Sequence, residues 1–298
     1  MTLALVSTPE TSAPTLEQIT LPPPGPHDLR VRVTAASVDP VDTLFVNGPA
    51  RSIFGITGAA GVGWSLTGVV TDTGAAVTGF SVGDSVAAVH TDFTAPVRAH
   101  AEETLVAAAA AAPLPGGIDR TDAASLPLNA LTAAQMVNRL GPADGRTLLV
   151  TGAAGAVGGY AVALAAHAGW TVAGLARESD REFVLRAGAD ELLTEMPGPS
   201  FDAVVDGAVL HAAALVAVRD GGMFVGVTSS SPAMAERGIE VGIVSVRPDG
   251  AQLAELLTLA AAGALELRVA GRVPLSEAAT AYAKVADGGQ RGRWLLVP

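Results

Sequence analysis

Cysteine is absent from all 298 residues, which excludes disulfides, a thiolate nucleophile and any cysteine-held metal. Basic residues are few, 18 Lys and Arg against 29 Asp and Glu, for a formal charge of −11 with no basic run. A nucleic-acid surface, whose affinity comes from neutralising phosphates, is therefore not expected. An anionic cofactor stays possible, because helix ends and one or two arginines suffice for it. The five histidines, His27, His90, His100, His167 and His211, have no metal-ligand spacing; His90-x-Asp92 and His100-x-Glu102 are isolated pairs. No long apolar run exists either. Leu105–Leu114 falls short of the ~20 residues that cross a membrane and contains Pro113. The opening MTLALVSTPE places no basic segment before an apolar one, so no secretory signal is expected and the cytoplasm is the default. Internal repeats and low-complexity linkers are lacking.

What is present is concentrated in TLLVTGAAGAVGGYAVALAAHAGWTVAGLARESDREFVLRAGAD, from Thr147 to Asp190. The pattern predicts a strand Thr147–Thr151, a turn Gly152–Gly158, an alanine-rich helix to about His167 and a second strand Trp170–Ala176. Such a unit holds a dinucleotide: the glycines let backbone and helix approach, and the helix N-terminus faces a pyrophosphate. Gly155, Ala156, Val157 and Gly158 are the expected pyrophosphate contacts. The turn departs from strict GxGxxG, with Ala153 in place of the first glycine. An NAD-preferring site would put Asp or Glu near residue 176 to bond both ribose hydroxyls. Here Ala176 leaves room for a 2′-phosphate, and Arg177 offers paired N–H donors to it. NADPH is the expected cofactor. Against this, Arg177 has the alternative reading of a solvated loop cation, and one residue of slip would make Glu178 the ribose acid.

Residues 1–110 carry short valine-rich runs (Leu29–Ala35, Gly68–Thr71, Ser85–His90) broken by Gly, Pro and Asp, as in a β-rich domain. From Thr121 the pattern turns helical through SLPLNALTAAQMVNRLG. Ala203–Gly207, Met223–Thr228 and Ile239–Val246 are further buried-strand candidates, with a helix His211–Val218 among them. Asp249–Ala262 reads as helix and RGRWLLVP as a closing strand. The expected class is α/β, with a β-rich catalytic domain of residues 1–120 and 247–298. Residues 121–246 form a doubly wound Rossmann dinucleotide-binding domain.

That order, with VRVTAASVDPVDTLFVNG (Val31–Gly48), GWSLTGVV (Gly63–Val70), GFSVGDSVAAV (Gly79–Val89), LPLNALTAAQ (Leu126–Gln135), GAAGAVG (Gly152–Gly158), RPDGAQLAEL (Arg247–Leu256) and RGRWLLV (Arg291–Val297), resembles the medium-chain dehydrogenase/reductase superfamily, in its zinc-free quinone oxidoreductase branch. The resemblance covers nearly the whole chain. It implies that the β-rich domain is GroES-like and that nicotinamide lies near Thr132, Thr228 and Ser229, with Asp39 and Asp42 at the substrate cleft. It further implies a homodimer joined through the strand 239–246, which is apolar on both faces and has only Glu240 charged. The chain departs from the family at Asp39, where asparagine is usual, at Leu44 (tyrosine), at Val46 (arginine) and at Ser65 (aspartate). These departures leave the substrate open.

Asp39, Asp42 and Thr132 are the expected catalytic residues. A carboxylate of raised pKa beside nicotinamide would donate a proton. In the competing reading Asp42 caps the following short helix and Asp39 bonds the loop around Pro40. Trp64 reads as packing before substrate stacking. Gly79–Gly83 matches GxSxG, but the strand pattern after it makes a turn the better account, and a hydrolase would need Ser81, Asp206 and His211 to converge. The expected reaction is hydride transfer from NADPH to a quinone or an activated alkene, without zinc. The alternatives are carbonyl reduction or a specialised biosynthetic step on the same fold, and an NADPH-binding protein without turnover.

Overall fold

The computed structural model describes every residue except Ser12, Asn47, Gly48, Ser229 and Ser230, and at Pro49 and Ala50 the backbone alone. The chain divides into two compact units, Met1–Leu128 with Arg247–Pro298, and Asn129–Val246.

The first unit is built on the strand Asp28–Val38. Its sequence, DLRVRVTAASV, alternates apolar and polar residues as far as Val33, and Leu29, Val31 and Val33 are buried. Beyond Thr34 the residues are small and buried on both faces, because partners cover the strand there. It pairs antiparallel with Ser65–Thr73 along one edge, and with Glu103–Ala107 and Arg293–Val297 at opposite ends of the other. The full order is Val269–Pro274, Arg293–Val297, Asp28–Val38, Ser65–Thr73, Ser85–Val89, Ala111–Pro113. Gly68 is required in this sheet, since a Cβ there would stand 2.3 Å from the Arg32 carbonyl oxygen. A core of Leu29, Val31, Leu66, Val70 and Val86 fills its interior. Two short helices, Pro40–Val46 and Pro49–Ile53, follow the central strand. Phe45 and Val46 of the first pack with Leu275, Tyr282 and Leu296.

The second unit is a parallel six-stranded sheet, ordered Glu191–Leu193, Thr171–Leu175, Thr147–Thr151, Phe201–Asp206, Val218–Val227, Glu240–Val244. The chain starts at the centre, winds to one edge, then returns and winds to the other, which is the doubly wound arrangement. Strands covered on both faces should read as near-continuous apolar runs, and Phe201–Asp206 is buried at every residue. The helix expected over His211–Val218 is shorter, Ala212–Leu215, and Val218 already belongs to the next strand. Arg237 caps the end of this short helix. Its guanidinium donates to the carbonyl of Leu215 (2.9 Å), the last residue of the helix, and to that of Val218 (2.8 Å), the first of the strand. Among the described residues no helix is long and apolar enough to cross a membrane.

Candidate functional site

The glycine turn lies at the carboxyl end of the central strand Thr147–Thr151. Gly152 takes a left-handed backbone (φ 60°), and the Gly155 N–H closes the turn on the Gly152 carbonyl at 2.7 Å. Gly155 then caps the helix Ala156–His167 in extended conformation, and no side chain caps it. The first helical turn therefore keeps N–H donors and the positive dipole end for an anion. Two glycines make the approach possible. A Cβ on Gly158 would lie 2.1 Å from the Gly152 carbonyl oxygen, and one on Gly207 would lie 2.8 Å from the Thr151 carbonyl oxygen. Ala153 is tolerated because Gly174, on the neighbouring strand, has no side chain: a Cβ there would meet the Ala153 methyl at 2.9 Å. The bulk missing from one strand is supplied by the other.

A polar clasp fixes the loop beside the turn. Thr151 Oγ1 donates to Asp206 Oδ1 at 2.6 Å and accepts from the Ala208 N–H at 3.1 Å. The same aspartate accepts from the N–H groups of Leu210 and His211. Within that loop Val209 (φ 58°) and His211 (φ 54°) are held in the left-handed region, which is costly for a β-branched residue. Asp206 is thus engaged with backbone, while Ser81 lies in the other unit. There its N–H donates to Asp84 at 2.8 Å in a turn leading directly into the strand Ser85–Val89. This is turn geometry, with no helix after the serine.

Arg177 and Glu178 follow the second strand, which ends at Leu175, in register with Thr151 and Leu193. Arg177 is exposed; its carbonyl accepts the Asp180 N–H at 2.9 Å, and its guanidinium makes no hydrogen bond or ion pair among the described residues. Glu178 is held by Arg181 through two bonds of 2.5 and 2.8 Å, and that partner lowers its pKa. Among the described residues the guanidinium has no partner, whereas the carboxylate is already matched. Thr132 is buried in the helix Pro127–Arg139. Thr228 is exposed just past the strand Val218–Val227, with its N–H on the Val244 carbonyl at 3.1 Å. Ser229 lies outside the described residues.

Asp39 and Asp42, in the other unit, are brought together, but in the interior. Asp39 is 1% exposed and Asp42 fully buried. Asp39 Oδ1 stands 2.9 Å from Arg293 Nε, and its Oδ2 accepts from the Ser37 hydroxyl at 2.8 Å. Asp42 is the third residue of the helix that Pro40 opens, and it reaches back to accept the Asp39 N–H at 2.8 Å, half of a capping box. Its other oxygen accepts the Gly63 N–H at 3.1 Å. Neither carboxylate presents an oxygen to solvent; both knit the loop. Burial, and then the Asp39 charge, raise the Asp42 pKa to about 8.

Four residues around this pair had no place in the sequence reading of the loop. Arg98 is 1% exposed, donates through Nη2 to the His90 carbonyl at 2.8 Å, and lies 5.0–5.4 Å from the ring centres of Phe45, Trp64 and Phe93. His100 bonds the Tyr282 hydroxyl through Nδ1 (2.9 Å) and the Ser37 carbonyl through Nε2 (2.8 Å), so its Nε2 carries the proton. Burial lowers its pKa to about 4 and raises that of Tyr282. Arg293 completes the group. A lone arginine in an apolar stretch was the only signal for Arg98. For the other three, separation along the chain hid the contact. Among the described residues no three His, Asp or Glu side chains gather as a metal site would require.

Two family models match parts of the chain. Residues 25–121 match the family model described as the alcohol dehydrogenase GroES-like domain, and residues 180–296 the model described as zinc-binding dehydrogenase. The chain is 30% identical over 210 residues to a chloroplastic quinone-oxidoreductase homolog of Spinacia oleracea, a match covering 64% of this chain and 62% of that protein. It is 31% identical over 214 residues to a trans-enoyl reductase of Aspergillus terreus, covering 64% of this chain and 69% of that one. A mycobacterial protein solved in complex with NADPH superposes with a TM-score of 0.84 at 25% identity, over 100% of both chains. The chain therefore belongs to the medium-chain dehydrogenase/reductase superfamily, in its quinone oxidoreductase-like branch.

Proposed function

We propose that the protein transfers a hydride from NADPH to a quinone or an activated alkene, without zinc. The observation that carries this reading is the uncapped glycine turn with the Arg177 guanidinium, which has no partner among the described residues, just past the end of the neighbouring strand. The names of the spinach and Aspergillus relatives, and the NADPH in the mycobacterial complex, support it.

In this reading Gly155, Ala156, Val157 and Gly158 hold the pyrophosphate, and Arg177 grips the 2′-phosphate. By resemblance, Thr132, Thr228 and Ser229 serve the nicotinamide end. The cofactor supplies the hydride; the protein supplies orientation and exclusion of water. Asp39 and Asp42 act by fixing the loop from Asp39 to Val46, since both carboxylates are already bonded and shut from solvent. The proton that completes the reduction then comes from solvent. Metal chemistry has no support in the donor set, which offers no thiolate and, among the described residues, no three-ligand cluster.

The test is steady-state NADPH oxidation against a panel of quinones and enones, with Arg177→Ala beside the wild type. Turnover with at least one acceptor is expected, and the variant should bind NADPH at least ~tenfold more weakly with NADH nearly unchanged. Tight NADPH binding with no turnover on any acceptor would leave a binding protein. Equal weakening of both cofactors would make Arg177 structural.

We also infer a homodimer through the strand Glu240–Val244. This strand forms the outer edge of the six-stranded sheet and pairs on one side only among the described residues, and Ile243 is 37% exposed. An apolar strand edge left open invites pairing with a second copy.

A further inference from the structure

The strands Thr147–Thr151 and Phe201–Asp206 lie side by side and end in register, Thr151 opposite Asp206. Between them the winding of the sheet reverses. From Thr147–Thr151 the chain runs out to Thr171–Leu175 and Glu191–Leu193, then crosses back to Phe201–Asp206. In an open parallel sheet, the crevice beyond the carboxyl ends of the strands at such a reversal is where a ligand lies. The glycine turn forms one wall of this crevice, and the loop from Gly207 to His211 forms the other. The walls touch: a Cβ on Gly152 would stand 3.1 Å from the Ala208 methyl, and one on Gly207 would stand 3.2 Å from Gly158 Cα.

The loop is held in a costly conformation. Val209 (φ 58°) and His211 (φ 54°) both occupy the left-handed region, where a branched Cβ is crowded by its own backbone. The bonds that keep it there run to two buried side chains. Asp206 accepts the N–H groups of Leu210 (3.1 Å) and His211 (2.8 Å), while Thr151 accepts that of Ala208 (3.1 Å) and donates to Asp206 (2.6 Å). Packing at the tip does not explain the strain, because Val209 is 46% and Leu210 39% exposed. Two apolar side chains are thus kept out of the core beside the crevice. Strain maintained by its surroundings in this way is a mark of ligand-binding segments.

If the turn holds the pyrophosphate and Arg177 the 2′-phosphate, as proposed above, the adenosine half of the cofactor lies toward Thr171–Leu175. The nicotinamide half then lies toward the strand on the other side of the turn, Phe201–Asp206. We propose that Val209 packs against that half, with Asp206 and Thr151 as the positioning residues that hold its loop in the strained form. The assignment rests on the reading of the glycine turn as an NADPH site, and extends it to a wall that the glycine pattern does not include.

Calorimetric titration of the full-length protein with NADPH, NADH and adenosine 2′,5′-bisphosphate, which lacks the nicotinamide half, tests this. Val209→Gly should weaken NADPH and NADH alike, about five- to tenfold for the loss of a partly covered valine side chain, and leave the bisphosphate unchanged. It should also raise the melting temperature of the free protein, because glycine accepts the left-handed backbone. Val209→Ala removes the same contact without glycine's freedom, so its loss of affinity should match. Arg177→Ala should give the complementary pattern, weakening NADPH and the bisphosphate but not NADH. Wild-type affinity for both nucleotides in Val209→Gly would overturn the assignment and leave the reading of the turn standing. Equal weakening of the bisphosphate, an affinity loss confined to the glycine variant, or a lowered melting temperature would overturn it too. Binding of neither nucleotide by the wild type would overturn both.

Discussion

Arg293→Met removes a guanidinium but keeps the apolar stem, leaving the buried Asp39 carboxylate without this counter-charge. The two side chains are 13% and 1% exposed and stand 2.9 Å apart. At that separation an effective dielectric of about 20 gives an attraction of about 6 kcal/mol. Desolvation of both ions offsets much of it, so the intact pair contributes little net stability, whereas severing one partner costs about 3–5 kcal/mol. The Ser37 hydroxyl remains on Asp39, but one neutral donor does not replace a cation. Asp39→Asn should cost less, about 1–2 kcal/mol, because the orphaned Arg293 reaches some solvent. The double variant, with neither charge, should be more stable than Arg293→Met alone, giving a coupling of at least ~2 kcal/mol. Urea unfolding of the four proteins measures this, followed by fluorescence of Trp64 and Trp294, which lie in the same unit. Losses that simply add, with coupling under ~0.5 kcal/mol, would show that the pair is not coupled and that Asp39 finds its compensation elsewhere.

Three further outcomes are expected. Asp42, ionising at about pH 8 when folded against 3.8 in its reference state, holds a proton that the unfolded chain releases, so its contribution to stability declines as pH rises from about 4 to 8 and is flat above. Asp39→Asn removes the second cause of that shift and should lower the midpoint in a carboxyl 13C titration; a wild-type Asp42 midpoint below pH 5 would contradict the account. Val209→Gly relieves a left-handed β-branched residue that is 46% exposed, and after the larger unfolded-state entropy of glycine it should stabilise by about 0.5–1 kcal/mol in thermal unfolding. A loss instead would mean that the valine side chain packs. Light scattering should give twice 29.7 kDa, and Val244→Lys should halve it; a monomer mass at every concentration would reject the dimer.

The parallel sheet was legible because its strands are buried on both faces, and runs such as TLLVT and TVAGL stand out as continuous apolar segments. Glu191–Leu193, with three residues, carries too little pattern to be read. The strand Val218–Val227 begins just before RDGG and runs through it, where local chemistry reads a turn. Helix Ala278–Ala286 is mostly alanine, which fits core and surface alike and leaves a faint period. The glycine turn and Arg177 were legible because the features that single them out are neighbours in sequence. The carboxylates of the Asp39 loop were visible too, but not their burial. That depends on Arg293 near the far end of the chain, on Ser37 and on the backbone of Gly63. His100 and Tyr282, separated by 182 positions, could be joined only by the fold.

The pairing of Arg293–Val297 with Ala36, Ser37 and Val38 bears on the order of events during synthesis. The residues between Asn129 and Val246 are contiguous and can close their sheet as they emerge. The unit begun by the first 128 residues cannot finish, because its central strand lacks an edge partner and Asp39 its counter-charge until residue 293 is made. At roughly 5–20 residues per second, the stretch from residue 128 to residue 293 takes about 8–33 s. Throughout it the Asp39 loop stays hydrated and an apolar strand edge stays open. Residues 1–128 leave the ribosome before residues 129–246 yet become native after them, and over that interval they have most need of protection from aggregation.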